Sequence, residues 1–389
     1  MPVDVLKDDI GPEYVVELYD PATGTRGFLV IDTMVYGVAA GGVRMLPDVT
    51  VGEVSHLARA MTYKFATYDM PIGGAKGGIV ADPSSPDRDR HVGAFARLVA
   101  PFLKQLVYIP GADMGTSDRD VAVMYEVAGM EQFKPSGLTL KVKDGMPLED
   151  HLTGYGVVVA AKTAAELVDM SIEGASVAVE GFGKVGGGVA RYMEKLGARV
   201  VAISTIHGAI YNPKGLDVEG LLEARRKHGD RVVLEYKDAE RIAKEKIFTL
   251  PVDVLVPGAR PHVIDKNNAG DVKAKIISPG ANIPTTLEAE EILFRKGVLS
   301  IPDFVANAGG IIAATMDRMS ATEEKAFEAV ESNISSVTRR IISQAMEEKT
   351  YPLAVAVRMA REKVKREIEK KERMAAEEIE RKVKEKFGV

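Results

Sequence analysis

"SVAVEGFGKVGGGVARYMEKLG", Ser176 to Gly197, decides how the chain folds. A short strand-like run, SVAVE, leads into Gly181, Gly183 and Gly186 in GxGxxG order, and these open a stretch with helical spacing. In a strand–turn–helix unit the first glycine permits the tight turn and the second lets a pyrophosphate reach the backbone. The third lets helix and strand pack closely beneath the positive helix end. A glycine-rich turn in an unrelated α/β unit has the same local pattern, so the surroundings must decide.

From Leu152 onward the surroundings repeat strand then helix. "RVVAIS", "VDVLVPGA", "KIISPGAN" and "VLSIPD" are short apolar runs of the kind buried in parallel sheets. The expected fold is therefore α/β, with a Rossmann-type doubly wound dinucleotide-binding domain over residues 151–329 in which Gly181, Phe182, Gly183, Lys184, Val185 and Gly186 cradle the coenzyme. Residues 1–150 read as a separate α+β domain: "VVELYD" and "RGFLVIDT" pair around the turn "PATG", and Val51 to Tyr68 has helical spacing. The boundary falls in "KVKDGMPLEDHLTG", and helices from about residue 330 to 389 return to the first domain. The last of these carries Val364, Ile368, Ile379, Val383 and Phe387 on a narrow stripe. That stripe suits a solvated amphipathic helix or one packed on another subunit.

Composition excludes several classes. The 389 residues contain no cysteine, so disulfides, thiolate chemistry and cysteine metal sites are out, and the six histidines show no ligand spacing. A net charge of −5 gives no pull toward nucleic acid. No apolar run is long enough for a membrane span, nothing resembles a secretory leader, and a cytoplasmic protein is expected.

An NAD site usually carries Asp or Glu about 20 residues beyond the fingerprint, on the ribose 2′-OH. Here that place reads "AISTIHGAI", with Ser204, Thr205 and His207 and no carboxylate. A 2′-phosphate would not be repelled, so NADP or use of either coenzyme is expected, with Ser204, Thr205 and His207 near the phosphate. His207 reads equally well as a polar loop residue.

Two lysines stand out in the first domain, Lys64 in "MTYKFAT" and Lys76 in "PIGGAKGGI". A buried lysine beside another cation loses proton affinity and can serve as a general base. The glycines around Lys76 are expected to let a substrate and a nicotinamide ring approach it. A phosphate-binding loop would need Ser or Thr after the lysine, and Gly77 stands there. Unrelated surface lysines are the plain alternative; Asp113, in the glycine-bounded loop "YIPGADMGTSDRD", offers a partner for proton exchange.

At this point "GGVRM", "MTYK", "GGAKGG", "ADMGTS", "TGYGVVVAAK", "GFGKVGGG", "GANIPTT" and "IPDFVANAGGI", in that order, resemble the glutamate/leucine/phenylalanine/valine dehydrogenase family. The resemblance implies that Lys64 holds the substrate α-carboxylate, Lys76 activates the water that attacks the iminium, and Asp113 exchanges protons with the amino group. It places Thr153 and Asn282 beside the nicotinamide end of the coenzyme and Asn307 near the ribose and substrate. It also implies a first domain that binds substrate and builds the oligomer, a homohexamer for preference, and an active site in the cleft between the domains. Glutamate-using members carry KGGxR, whose lysine grips the side-chain carboxylate; here Ala40 stands in that place, next to Gly41. Ala314 stands where glutamate users carry serine and leucine users an apolar residue. A carboxylate buried unpaired costs on the order of several kcal/mol, whereas each buried CH₂ gains roughly 0.8 kcal/mol. The expected substrate is branched-chain or aromatic, and glutamate remains the alternative if Arg44 or a loop lysine supplies the grip. Pro279 and Glu180 also depart from the family pattern, which has an acidic residue and commonly Gln at those places. A non-catalytic nucleotide-binding regulator is the alternative of another class; the presence of Lys64, Lys76 and Asp113 together speaks against it.

Overall fold

Two apolar runs around a tight turn produce a hairpin, β1 (Tyr14–Asp20) and β2 (Thr25–Ile31), with Val16 opposite Leu29. The computed structural model describes residues 4–387 except 136, 138, 139, 144 and 145. β3 (Ala39–Leu46), β4 (Gly73–Val80) and β5 (Tyr108–Ala112) complete a sheet of order β1-β2-β4-β3-β5, in which β4 runs antiparallel to β2 and parallel to β3. Because successive side chains point to opposite faces, two cores form. Helix α2 (Arg88–Lys104) puts Phe95 and Val99 against Leu29, Ile31 and Ala75. On the other face α1 (Val51–Thr67), capped by Thr50, sets Val54 and Ala58 against Phe28 and Val30. α3 (Asp118–Val127) packs on α2 and β5.

After a small hairpin, β6 (Val142–Lys143) with β7 (Met146–Pro147), a second set of elements begins with α4 (Leu148–Leu167). Its sheet combines β8 (Ser176–Glu180), β9 (Arg199–Thr205), β10 (Gly208–Tyr211), β11 (Glu240–Ile242), β12 (Val254–Pro257), β13 (Ile276–Ile277) and β14 (Leu299–Ser300) in the order β11-β10-β9-β8-β12-β13-β14. The five strands expected from apolar runs are mutually parallel. β10 and β11, not anticipated, extend the sheet antiparallel beyond β9, because the chain turns back at Ile206 and His207. Helices α5 (Lys184–Lys195), α6 (Val218–His228), α7 (Val232–Glu235), α8 (Leu287–Arg295), α9 (Asp303–Ala306), α10 (Gly309–Arg318) and α11 (Glu323–Glu348) accompany it.

The chain divides into Met1–Pro135 with Val357–Val389, and Ser136–Ala356. The expected divisions at 150 and 330 therefore move outward at both ends. The reason is α4, whose Leu152, Val157, Val158, Ala161 and Ala164 are all buried. A helix apolar on every side needs partners on every side, and α4 finds them in α5, α10 and α11. The C-terminal helix α12 (Pro352–Phe387) belongs to the first unit from residue 357 on. There Val364 is buried, Arg361 bonds Asp8 at 2.6 Å and also Asp9, and Lys371 reaches the Met34 carbonyl at 2.8 Å. This stretch thus packs on its own unit. The side chains of Ile379, Val383 and Phe387 lie outside the described residues.

Candidate active site

Lys76 stands on β4 opposite Val30, and strand alternation puts Gly74 and Gly78 on the same face. A Cβ on Gly74 would lie 2.3 Å from both Ala58 O and Thr62 N of α1, and one on Gly78 2.8 Å from Val54 Cγ2. On β3 a Cβ at Gly42 would lie 2.8 Å from the Cβ of Asp113. The expectation that glycines clear space for ligands is corrected here. The protein's own atoms fill that space, and glycine is what allows α1 and Asp113 to close on the amine.

Asp113 follows β5. Its N–H donates to Thr116 Oγ1 at 2.9 Å, and that hydroxyl donates to Val43 O at 2.7 Å, which pins the loop to β3. Its Oδ2 lies 3.0 Å from Lys76 Nζ and accepts from Arg44 Nε at 3.0 Å; Arg44 in turn meets Glu53 Oε1 at 2.5 Å. Lys76 and Arg44 are each 2% exposed. Burial pushes the Lys76 amine below the ordinary lysine range, Asp113 opposes this, and the Arg44 cation adds to the lowering. For Asp113 burial alone would raise the carboxyl, but Lys76 and Arg44 outweigh it and hold it at about 2. When Lys76 gives up its proton, Asp113 loses one of those cations, so the two titrate as a pair. The arrangement supplies a dry amine poised to take a proton beside a fixed carboxylate.

Lys64 is buried on the last turn of α1 in the same unit. Ala40 on β3 lies between Gly74 of β4 and Ile109 of β5. Gly41 is required by packing, since its Cβ would meet Ala75 O at 1.7 Å, and its carbonyl accepts from Tyr108 Oη at 2.9 Å. Ala314 is exposed on α10 in the second unit. Arg44, considered above as a grip on a substrate carboxylate, is already engaged by Asp113 and Glu53 and does not serve that purpose in this arrangement.

In the second unit the fingerprint glycines take three distinct roles. Gly181 has φ 85°, a Cβ on Gly183 would meet nothing within 4 Å, and one on Gly186 would strike Gly181 O at 2.0 Å. Phe182 is buried, and Lys184 and Val185 open α5, which has no side-chain cap at Gly183. Its first N–H groups thus remain available to an anion. Chain order reverses between β8 and β12, the place where open α/β sheets bind ligands. Glu180 joins the two strand ends there, accepting from Gly258 N and Ala259 N at 2.9 Å each; burial raises its carboxyl. Ser204 Oγ accepts from Gly181 N at 3.1 Å and Thr205 Oγ1 donates to Asp230 O at 2.7 Å, so both hydroxyls help hold the loops. Asn307 Nδ2 donates to Asn282 Oδ1 at 3.1 Å, bringing those two residues together, and Thr153 Oγ1 donates to Glu149 O beside Gly310. Asn307 Oδ1 is buried without a hydrogen-bond partner among the described residues. The open face of Gly183, the uncapped helix and this orphaned acceptor fit a dinucleotide with a carboxamide to offer.

Residues 12–129 match the model of the Glu/Leu/Phe/Val dehydrogenase dimerisation domain, and residues 145–372 match that of Glutamate/Leucine/Phenylalanine/Valine dehydrogenase. The chain belongs to this family. It is an NAD(P)-dependent amino-acid dehydrogenase acting on the CH–NH₂ group. A glutamate dehydrogenase of Thermotoga maritima is 40% identical over 302 residues, 73% of this chain and 70% of that one. An NAD-specific glutamate dehydrogenase of Staphylococcus aureus is 39% identical over 282 residues, 71% and 67% of the two chains. Among solved structures, the hetero-hexameric glutamate dehydrogenase of Thermus thermophilus in its Leu-bound form superimposes with TM-score 0.80 at 31% identity, covering 92% of this chain and 89% of that one. The L-tryptophan dehydrogenase of Nostoc punctiforme gives TM-score 0.64 at 26% identity, covering 92% and 97%.

Within this dehydrogenase, sequence reasoning missed the Arg44–Glu53 pair, Thr116 and the Glu180 link. Arg44 follows the quoted glycine pair, but nothing local signals that Glu53 or Asp113 will meet it. Among the described residues no helix is long and apolar enough to cross a membrane.

Proposed function

We propose that the enzyme carries out reversible oxidative deamination of an L-amino acid with a branched-chain or aromatic side chain, yielding a 2-oxo acid and ammonia. The observation that carries the side-chain preference is Ala40 at the place of the family's grip lysine, together with an Arg44 already committed to Asp113 and Glu53. On this reading Lys64 pairs with the substrate α-carboxylate, Lys76 Nζ takes a proton from water, and Asp113 exchanges protons with the amino group. Gly181 to Gly186, Thr153, Asn282 and Asn307 hold the coenzyme, whose nicotinamide accepts the hydride from Cα when bound. NADP, or either coenzyme, is favoured because Ser204 to His207 carry no carboxylate to exclude a 2′-phosphate. Thr205 Oγ1 gives its proton to Asp230 O, whereas Ser204 Oγ accepts from Gly181 N and keeps its own proton to donate to a phosphate. A hexamer is favoured too, with the edge strand β1 exposing Tyr14, Val15 and Tyr19. Whether its six subunits are identical is part of the test, since the Thermus relative is hetero-hexameric.

Glutamate is the second reading, favoured by the names of the Thermotoga and Staphylococcus relatives. Initial rates at 340 nm with glutamate, leucine, valine and phenylalanine, each with NAD and NADP, decide between them. The expected outcome is kcat/KM for one of the apolar amino acids at least about tenfold above that for glutamate, equivalent to the loss of one charge-assisted hydrogen bond. Ala40→Lys is expected to raise kcat/KM for glutamate by roughly ten- to a hundredfold. A wild-type protein that prefers glutamate overturns the assignment, and NADPH with a KM far above that of NADH overturns the coenzyme preference. The mass of the purified protein gives the subunit number.

A further inference from the structure

The loop after β13 carries Asn282 and then bends in a way its sequence resists. Ile283 has φ 50°, in the left-handed region where a β-branched residue is an outlier, and it precedes Pro284, which disfavours helical conformations. Such a conformation is strained and persists only where its surroundings over-determine it. Here both backbone groups of Ile283 are held. Its N–H donates to Asp303 Oδ2 at 2.9 Å, and its carbonyl accepts from the N–H of His262, itself left-handed at φ 54°. Asp303 is buried at the start of the short helix α9, and Asn307 caps the end of the same helix. Asn307 Nδ2 donates to Ala281 O and Asn282 Oδ1, both at 3.1 Å. One turn of helix therefore grips residues 281–283 from both ends, on either side of Asn282.

We infer that Asp303 is a positioning residue: by holding Ile283 left-handed it sets the Asn282 side chain against Asn307 and leaves Asn307 Oδ1 facing the coenzyme. The inference rests on the reading above that Asn282 and Asn307 serve the coenzyme. Without the carboxylate nothing on the α9 side holds the Ile283 N–H, the backbone relaxes toward ordinary β-region angles, and Asn282 turns away.

The test is the Kd for NADH and NADPH, read by the fluorescence of the reduced coenzyme on the purified full chain. Asp303→Ala is expected to weaken binding at least about tenfold, and Asp303→Asn, which keeps an accepting oxygen, to stay within about threefold of wild type. Adding Ile283→Gly to Asp303→Ala is expected to recover much of the affinity, because glycine adopts the left-handed conformation without strain. A merely structural role for Asp303 predicts the opposite, since a second deletion would only add damage. Should Asp303→Ala fail to fold, Asp303→Asn together with Ile283→Gly alone carries the test, both expected to keep coenzyme affinity within about threefold. Asn282→Ala separates the two levels. If it weakens binding while Asp303→Ala does not, the positioning role fails and the coenzyme reading stands; if Asn282→Ala leaves binding unchanged, both fall.

Discussion

Lys76→Met is expected to lower kcat by about 10²–10⁴, the range that a positioned general acid or base contributes, while the Kd for reduced coenzyme, which the proposed function assigns to the second unit, is expected to stay at the wild-type value. Methionine keeps the length and apolar stem, so packing under α1 is retained and only the ionisable group is lost. The substitution also leaves Asp113 with Arg44 as its remaining cation, which still satisfies the carboxylate. The pH profile gives a sharper check. On the proposed role Lys76 works in its neutral form, so the rate is expected to rise with pH as the amine deprotonates, with a midpoint below that of an ordinary lysine because burial disfavours the cation. Asp113 raises the proton affinity of Lys76. Asp113→Asn should therefore shift the rising limb to lower pH, besides reducing kcat through loss of proton exchange with the amino group. Wild-type turnover in Lys76→Met, or a limb that moves to higher pH in Asp113→Asn, would sink the proton-transfer roles.

The second large effect is on stability. Gly74→Ala places a methyl 2.3 Å from two backbone atoms of α1 and 2.4 Å from Thr62 Oγ1. No side chain can swing aside to relieve this; the helix itself must retreat from β4. That movement strains the Thr62 Oγ1 bond to Asp32 at 2.5 Å, and Asp32 is also the buried partner of Arg59 at 2.8 Å. A cost of about 3 kcal/mol or more is expected, at the upper end for overpacking and seen as a fall in the denaturation midpoint. Gly93→Ala is the control. Gly93 lies inside α2, where a Cβ meets only Arg97 Nη1 at 3.8 Å, and the same substitution should stabilise by about 0.5–1 kcal/mol. Equal effects at the two positions would show that helix–strand proximity is not what Gly74 provides.

The contrast between these two glycines bears on what was legible beforehand. In the sequence, Gly74 and Gly93 are equivalent letters; only the distance to α1 separates them. The clearing around Lys76 is visible as composition but its purpose is not, because the neighbours that need the space come from residues 18 positions upstream of Lys76, at Ala58, or 37 downstream, at Asp113. Arg44 shows the same limit. Its type and place are visible in the sequence, where it is only an alternative grip on a substrate carboxylate, because its real partners, Glu53 and Asp113, leave no local trace. Ser204 and Thr205 were placed correctly at the end of β9, while their bonds to Gly181 and Asp230 could not be anticipated.

What the sequence determined by itself was the kind of its most strongly patterned elements and the order of the motifs: the β1–β2 hairpin, the five parallel strands, the fingerprint turn and the run of family segments. Those follow from periods of 2 and 3.6 residues and from turn chemistry, forces that act within a few positions of the chain. Tertiary structure alone decided where the units divide, which charges neutralise one another around Lys76, and that Ile283 is bent against its preference beside Asn282. Each of these depends on surfaces that meet only after the chain has folded back across tens of residues. Burial then sets the energy of every contact, and burial is a property of the packed fold rather than of any stretch of it.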